Sequence, residues 1–328
     1  MTGKPRVFVD RRIPDEVQQV LEESCELDVW QGEDTIPRDE LAARLAHAEG
    51  YMTMGRRIDD ELLASAPRLK VVSTVSVGYN HFDIEAMKRR GVVGTHTPEV
   101  LDETVADLAF LLMLGAARRV AELDAYVRRG EWKRGDGTQL FGVDVHHATL
   151  GIIGMGRIGE AVARRAALGF GMKVQYYNRS RRMEAEEKYG AVHTDLDELL
   201  ATSDFVLLLT PLTPATKGLM GAREFSLMKR SAIFVNASRG ATVDEPALVA
   251  ALRNGTIRAA GLDVFDKEPL PAGHPLTTLP NTLLLPHIGS ATTKTRDDMA
   301  MLAARNLMAV LRGEAPPHMV PEFKAVTP

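Results

Sequence analysis

The chain has 328 residues, 45% hydrophobic and 26% charged, an ordinary globular composition with room for two domains. Its 40 Lys and Arg against 44 Asp and Glu leave a formal net charge of -4, which excludes a generally basic nucleic-acid or membrane-surface binder. A single cysteine, Cys25, excludes an internal disulfide and a thiolate zinc site.

The N-terminal segment MTGKPRVFVDRR lacks the apolar stretch of a signal peptide. The short run RVFVD (6–10) then reads as a strand, followed by an amphipathic helix over 14–24. The same alternation continues with ELDVW (26–30) and a helix over 37–47, GYMTM (50–54) and a helix over 58–66, KVVSTVSV (70–77) and a helix over 84–90, then GVVGTH (91–96). Strand and helix in strict alternation predict a parallel sheet covered by helices. The most apolar segment, 104–117, is interrupted by Asp107 and falls short of the ~20 residues of a membrane-spanning helix. It is expected to be the buried start of one long helix, Asp102 to Arg129, on the order of 40 Å at ~1.5 Å per residue. These features predict a soluble, cytoplasmic protein with no membrane or nucleic-acid partner.

A loop with Gly130, Gly135, Gly137 and Gly142 comes next, and the alternation restarts. TLGIIG (149–154), KVQYY (173–177), FVLLL (205–209), AIFVN (232–236), AAGLD (259–263) and TLLLP (282–286) read as the strands of a second doubly wound sheet. A last helix, 292–312, is expected to return to the first domain.

GIIGMGRIGE (151–160) holds Gly154, Gly156 and Gly159 in G-x-G-x-x-G spacing, between an apolar strand and a helical pattern. In that context the spacing signals a dinucleotide. The first glycine makes the turn, the second admits the pyrophosphate, and the third lets helix and strand pack. The helix start at Arg157 and Ile158 offers N–H donors and a partial positive charge to phosphate. About twenty residues on, such folds place an acid for the ribose 2′-OH. This chain has Asn178, Arg179, Ser180, Arg181 and Arg182 instead. Removing the carboxylate removes repulsion of a 2′-phosphate, and arginines bind phosphate through charge-assisted, paired hydrogen bonds. The segment predicts NADPH as coenzyme, with NADH weaker.

Three segments sit at or just past the C-terminal ends of predicted strands, where open α/β sheets bind ligands. They bring Arg239 (NASRGATVDE), Asp263 and Glu268 (GLDVFDKEPL), and His287 (LLLPHIGSAT). A histidine exchanges protons near neutral pH, a carboxylate on its other nitrogen fixes the tautomer, and an arginine holds a substrate carboxylate. Arg239, Glu268 and His287 are therefore the candidate catalytic residues.

GIIGMGRIG, NASRG, GLDVFDKEPL and PHIGSAT, in this order, resemble the D-isomer-specific 2-hydroxyacid dehydrogenase family over nearly the whole chain. The resemblance implies two doubly wound parallel-sheet α/β domains: a flavodoxin-like substrate domain, 1–100 plus 291–328, and a Rossmann coenzyme domain, 101–290. It implies substrate binding and carbonyl polarisation by Arg239, orientation of the histidine by Glu268, and acid/base work by His287. It adds Met54, Val77, Gly78 and Ser290 to the substrate site. It adds Thr104, Thr210, Pro211, Ala237, Ser238, Asp263 and Gly289 to the coenzyme site. The implied activity is reduction of a small 2-keto acid (glyoxylate, hydroxypyruvate or 2-ketogluconate) to the D-2-hydroxy acid. The implied assembly is a homodimer with helix 102–129 at its interface. No metal is expected. The adjacent His146 and His147 fall in a connector, where neighbouring side chains are expected to point apart. The resemblance also accommodates NAD-linked enzymes acting on D-lactate, phosphoglycerate or phosphonate, and a dinucleotide-sensing corepressor.

Overall fold

A computed structural model describes residues 3–324. The chain divides into two compact units, Met1–Leu101 with Ala291–Pro328, and Asp102–Ser290.

In the first unit, strands β1 (Arg6–Val9), β2 (Glu26–Val29), β3 (Gly50–Thr53), β4 (Val71–Thr74) and β5 (Val93–Thr95) alternate with helices α1 (Asp15–Ser24), α2 (Arg38–Leu45), α3 (Asp60–Ala64) and α4 (Ile84–Arg89). All strand pairs are parallel, in the order β2-β1-β3-β4-β5. The central strands β3 and β4 are buried at every position, as a sheet covered on both faces requires. Local chemistry sets the helix starts: Asp59 accepts from the Leu62 N–H at 3.0 Å and Asp83 from the Ala86 N–H at 2.9 Å.

The second unit contains α5 (Asp102–Ala117), α6 (Val120–Arg128), β6 (Thr149–Ile153), α7 (Arg157–Arg164), β7 (Lys173–Tyr177), α8 (Met183–Tyr189), β8 (Val192–His193), α9 (Leu196–Thr202), β9 (Phe205–Leu208), α10 (Ala222–Leu227), β10 (Ile233–Asn236), α11 (Glu245–Arg253), β11 (Ala259–Leu262) and β12 (Thr282–Leu284). Its sheet is parallel throughout, in the order β12-β11-β10-β9-β6-β7-β8. The two-residue strand β8 was not anticipated, being too short for a periodic signal. The last helix, α12 (Thr293–Leu311), belongs to the first unit and lies against β3, β4 and α1. Ser73 donates to the Ala303 carbonyl there at 2.8 Å.

The expected single helix over 102–129 is two helices. Arg119 adopts a left-handed backbone, φ 55°, between α5 and α6. Its side chain compensates by bonding Glu122 and the carbonyls of Gln139 and Phe141. The Ala117 carbonyl accepts from Val143 N–H, and a Cβ on Gly142 would stand 2.4 Å from that carbonyl oxygen. The connector thus folds back onto the end of α5, a tertiary contact that helical periodicity cannot report.

Candidate active site

Both sheets reverse their winding at one point, β1/β3 in the first unit and β6/β9 in the second, where ligands of such sheets bind. Gly154 ends β6 in a left-handed conformation, φ 105°, and a Cβ there would lie 2.9 Å from the Leu209 carbonyl carbon and the Thr210 nitrogen just past β9. Gly159 is pressed against the Gly154 carbonyl, whereas Gly156, at the start of α7, has open space where a Cβ would be. Thr210 Oγ1 is buried and has no hydrogen-bond partner among the described residues. A glycine cradle at the switch point, a helix start and an orphaned hydroxyl fit a dinucleotide.

Asn178 is held by the turn itself. Its Oδ1 accepts from the Met155 N–H at 2.8 Å and its Nδ2 donates to the Met155 carbonyl at 3.0 Å. Arg182 Nε donates to the same carbonyl at 2.8 Å, with Glu160 3.3 Å away. The three arginines are not equivalent. Arg181 is clamped by Glu186 through Nε and Nη2, whereas exposed Arg179 forms no ion pair among the described residues. Glu186, which also accepts from Tyr176 at 2.7 Å, was missed in the sequence. Its five-residue spacing from Arg181 matches no regular side-chain pairing, so the sequence carried no signal for it. Ser180 is exposed, and Arg157 turns back to Asp102 at 3.0 Å. Ile158 and Thr104 lie in the first turns of α7 and α5.

Strand order assembles the chemistry. The C-terminal ends of β9, β10, β11 and β12 are consecutive in the sheet and carry Thr210, Arg239, Asp263 and His287. His287 Nδ1 donates to Glu268 Oε2 at 2.7 Å, which leaves Nε2 of a half-exposed ring without a bond among the described residues. The other Glu268 oxygen accepts from the Phe265 N–H at 3.0 Å. His287 has a left-handed backbone, φ 53°, and the next two amides, Ile288 and Gly289, both donate to Asp263 at 2.8 Å. Asp263 therefore clamps the histidine loop from below; burial pushes its carboxyl up, against those two bonds. Burial likewise pushes the Arg239 guanidinium below its ordinary range, with Glu268 opposing.

Around them, Ser238 donates to Asn236 Oδ1 at 2.7 Å, and the Pro211 carbonyl accepts from Thr216 at 2.6 Å. Ala237 and Ser290 are partly buried in the loops after β10 and β12.

Burial alone would raise the Glu268 carboxyl, but the His287 bond, the Phe265 amide and the charges of His287 and Arg239 hold it below the ordinary 4.5. A carboxyl depressed by folding stabilises the fold fully above its unfolded value, and the contribution is lost as pH falls through the folded value. Melting temperatures between about pH 3 and 6 should therefore fall less steeply for Glu268→Gln than for the parent below about pH 4.5. Parallel curves would count against the bond.

Met54, Val77 and Gly78 lie in the first unit, past the ends of β3 and β4. Arg11, past β1, and Arg296, on α12, each reach Met54 Sδ at 3.2 Å. The N–H groups of Val77 and Gly78 find no acceptor among the described residues. His146 and His147 correct an expectation: their Nδ1 atoms are 2.8 Å apart, because His147 takes φ 62° and swings its ring back. No group of three or more His, Cys, Asp or Glu suited to a metal occurs among the described residues. No helix there is long and apolar enough to cross a membrane.

Residues 110–289 match the family model described as D-isomer specific 2-hydroxyacid dehydrogenase, NAD binding domain. The chain is 50% identical over 314 residues to glyoxylate/hydroxypyruvate reductase B of Pectobacterium atrosepticum, covering 95% of this chain and 96% of that relative. Among solved structures it is similar to an NADPH-dependent glyoxylate/hydroxypyruvate reductase from Sinorhizobium meliloti in complex with NADP and malonate, at 33% identity and TM-score 0.86, with 98% of each chain covered. A glyoxylate reductase from Paecilomyes thermophila is 32% identical with TM-score 0.87, covering 98% of this chain and 99% of that one. With the family model matching more than half its length and a half-identical relative matching nearly all of it, this chain belongs to the D-isomer-specific 2-hydroxyacid dehydrogenase family.

Proposed function

We propose that this chain catalyses the NADPH-dependent reduction of small 2-keto acids, glyoxylate and hydroxypyruvate with 2-ketogluconate as a longer substrate, to D-2-hydroxy acids. The observation that carries the reading is the Glu268–His287 pair, with Arg239, on the same strand edge as the glycine cradle and the orphaned Thr210 hydroxyl. The relatives named as glyoxylate/hydroxypyruvate reductases support the substrate class, and the NADP-bound relative supports the coenzyme.

On this reading residues 101–290 form the coenzyme domain, and 1–100 with 291–328 the substrate domain. The coenzyme is held by Thr104, the turn from Gly154 to Gly159, Asn178 to Arg182, Thr210, Pro211, Ala237, Ser238, Asp263 and Gly289. In the second unit Arg239, His287 and Ser290 are the residues that hold substrate, and in the first unit Met54, Val77 and Gly78 are its candidate contacts. A nicotinamide coenzyme held by these residues would supply the hydride that the 2-keto carbon takes up. Arg239 binds the substrate carboxylate and stabilises charge growing on the ketone oxygen. His287 gives that oxygen a proton from Nε2, the nitrogen that Glu268 leaves free, while Glu268 stabilises the imidazolium.

Purified protein supplied with NADPH or NADH and a panel of 2-keto acids tests this. Oxidation of NADPH with glyoxylate or hydroxypyruvate is expected, with a lower kcat/KM for NADH. No oxidation of either coenzyme with any keto acid would overturn it.

A homodimer completes the proposal. Leu111, Val120, Val127, Trp132 and Phe141 are each more than half exposed, an unusual density of large apolar side chains on α5, α6 and the following loop. Sedimentation at micromolar concentration should give twice the chain mass, and replacing Val120 and Val127 with Asp should give a monomer. A monomeric parent protein would remove the interface.

A further inference from the structure

A second histidine–glutamate pair lies outside the site described above. His274 Nδ1 accepts from the Leu276 N–H at 3.3 Å, so its proton is on Nε2, which meets Glu245 Oε1 at 3.1 Å. Both side chains are largely enclosed, 20% and 14% exposed. The second oxygen of Glu245 accepts from the Asp266 N–H at 3.2 Å. Asp266 lies two residues before Glu268, and the preceding N–H, that of Phe265, is the one that donates to Glu268. Glu245 opens α11, only six residues after Arg239. Between them, a Cβ on Gly240 would stand 1.9 Å from the Phe265 carbonyl carbon and oxygen and 2.3 Å from the Asp266 nitrogen. The loop bearing Arg239 and the loop bearing Glu268 therefore run backbone against backbone. Glu245 ties them together by a hydrogen bond.

From this chain of contacts we infer that Glu245, oriented by His274, is a positioning residue: it fixes the Phe265–Asp266 backbone, and so sets Glu268 against His287 and Arg239. The inference rests on the assignment of Glu268 and His287 as the acid/base pair. The Phe265 and Asp266 amides are consecutive, one donating to Glu268 and the other to Glu245, so a loop released at Asp266 also loosens the Phe265 donor. Arg239 keeps its own hydrogen bond to the Ser238 carbonyl at 2.6 Å, so the misplacement falls on the orientation of the His287 ring more than on carboxylate or coenzyme binding. Turnover should respond more than binding, because catalysis is steeper in geometry than affinity is.

The test is a double-mutant cycle of Glu245→Ala and Glu268→Ala, read as kcat and KM for glyoxylate, the Kd of NADPH and the melting temperature. Glu245→Ala is expected to lower kcat about tenfold, with the glyoxylate KM and NADPH Kd within about twofold of the parent. In the Glu268→Ala background the same substitution should change kcat no further, since residues acting through one another are not additive. Additive losses, or an unchanged kcat for Glu245→Ala, would overturn the inference while leaving the acid/base assignment intact. A Glu268→Ala enzyme with full turnover would overturn both. Should Glu245→Ala fail to fold, His274→Ala takes its place in the cycle. It leaves the carboxylate but removes its orienting partner, and a smaller kcat loss, again absent without Glu268, is expected; an additive loss would be equally fatal.

Discussion

His287→Ala is expected to lower kcat for glyoxylate reduction by about 10²–10⁴-fold, the usual contribution of a general acid, with the Kd of NADPH almost unchanged. The separation follows from how the residue is held. The ring is anchored by one nitrogen to Glu268, and its backbone by the two amides that Asp263 captures, so removing the ring leaves the clamp on Ile288 and Gly289 in place. The glycine turn is built on a different strand and shares none of these bonds. Steady-state kinetics paired with a fluorescence titration of NADPH checks both halves. Loss of binding in step with turnover would mean that His287 supports the coenzyme site and does not act as the acid.

The second large effect concerns coenzyme choice. Arg179→Ala is expected to raise the KM for NADPH about tenfold to a hundredfold and to leave that for NADH nearly unchanged, the range for loss of one charge-assisted, paired contact. Arg179 carries this prediction because, among the described residues, no carboxylate engages it: Arg181 answers Glu186, and Arg182 is tied to Met155 and lies near Glu160. Arg181→Ala should also weaken NADPH, by a different cause, since it leaves the Glu186 carboxylate unneutralised near a 2′-phosphate. Adding Glu186→Gln to Arg181→Ala should then restore much of the affinity, whereas it cannot rescue Arg179→Ala. An unchanged NADPH-to-NADH ratio in Arg179→Ala would show that the phosphate is recognised elsewhere.

Periodicity and punctuation were enough to read every strand but β8 and the helices of the first unit, because in a buried parallel sheet each strand is a short apolar run and an amphipathic crossover helix shows its own period. Glycine spacing announced the turn after β6 because the demand there is steric and local: at Gly154 the left-handed backbone and the nearness of Leu209 and Thr210 leave no room for a side chain. Arg239, Glu268 and His287 were legible as a group because the C-terminal end of a strand is a position readable along the chain. Local sequence does not say which strands become neighbours, and the order β9-β10-β11-β12 is what brings those ends together. Only the fold decided which contacts the polar side chains make. Asn178 binds the Met155 backbone, Glu186 neutralises Arg181, Arg119 breaks a helix that its neighbours favour, and Glu245 meets a histidine 29 residues away. Each of these depends on two segments being packed against each other, and a charged or amide side chain takes whichever partner that packing presents.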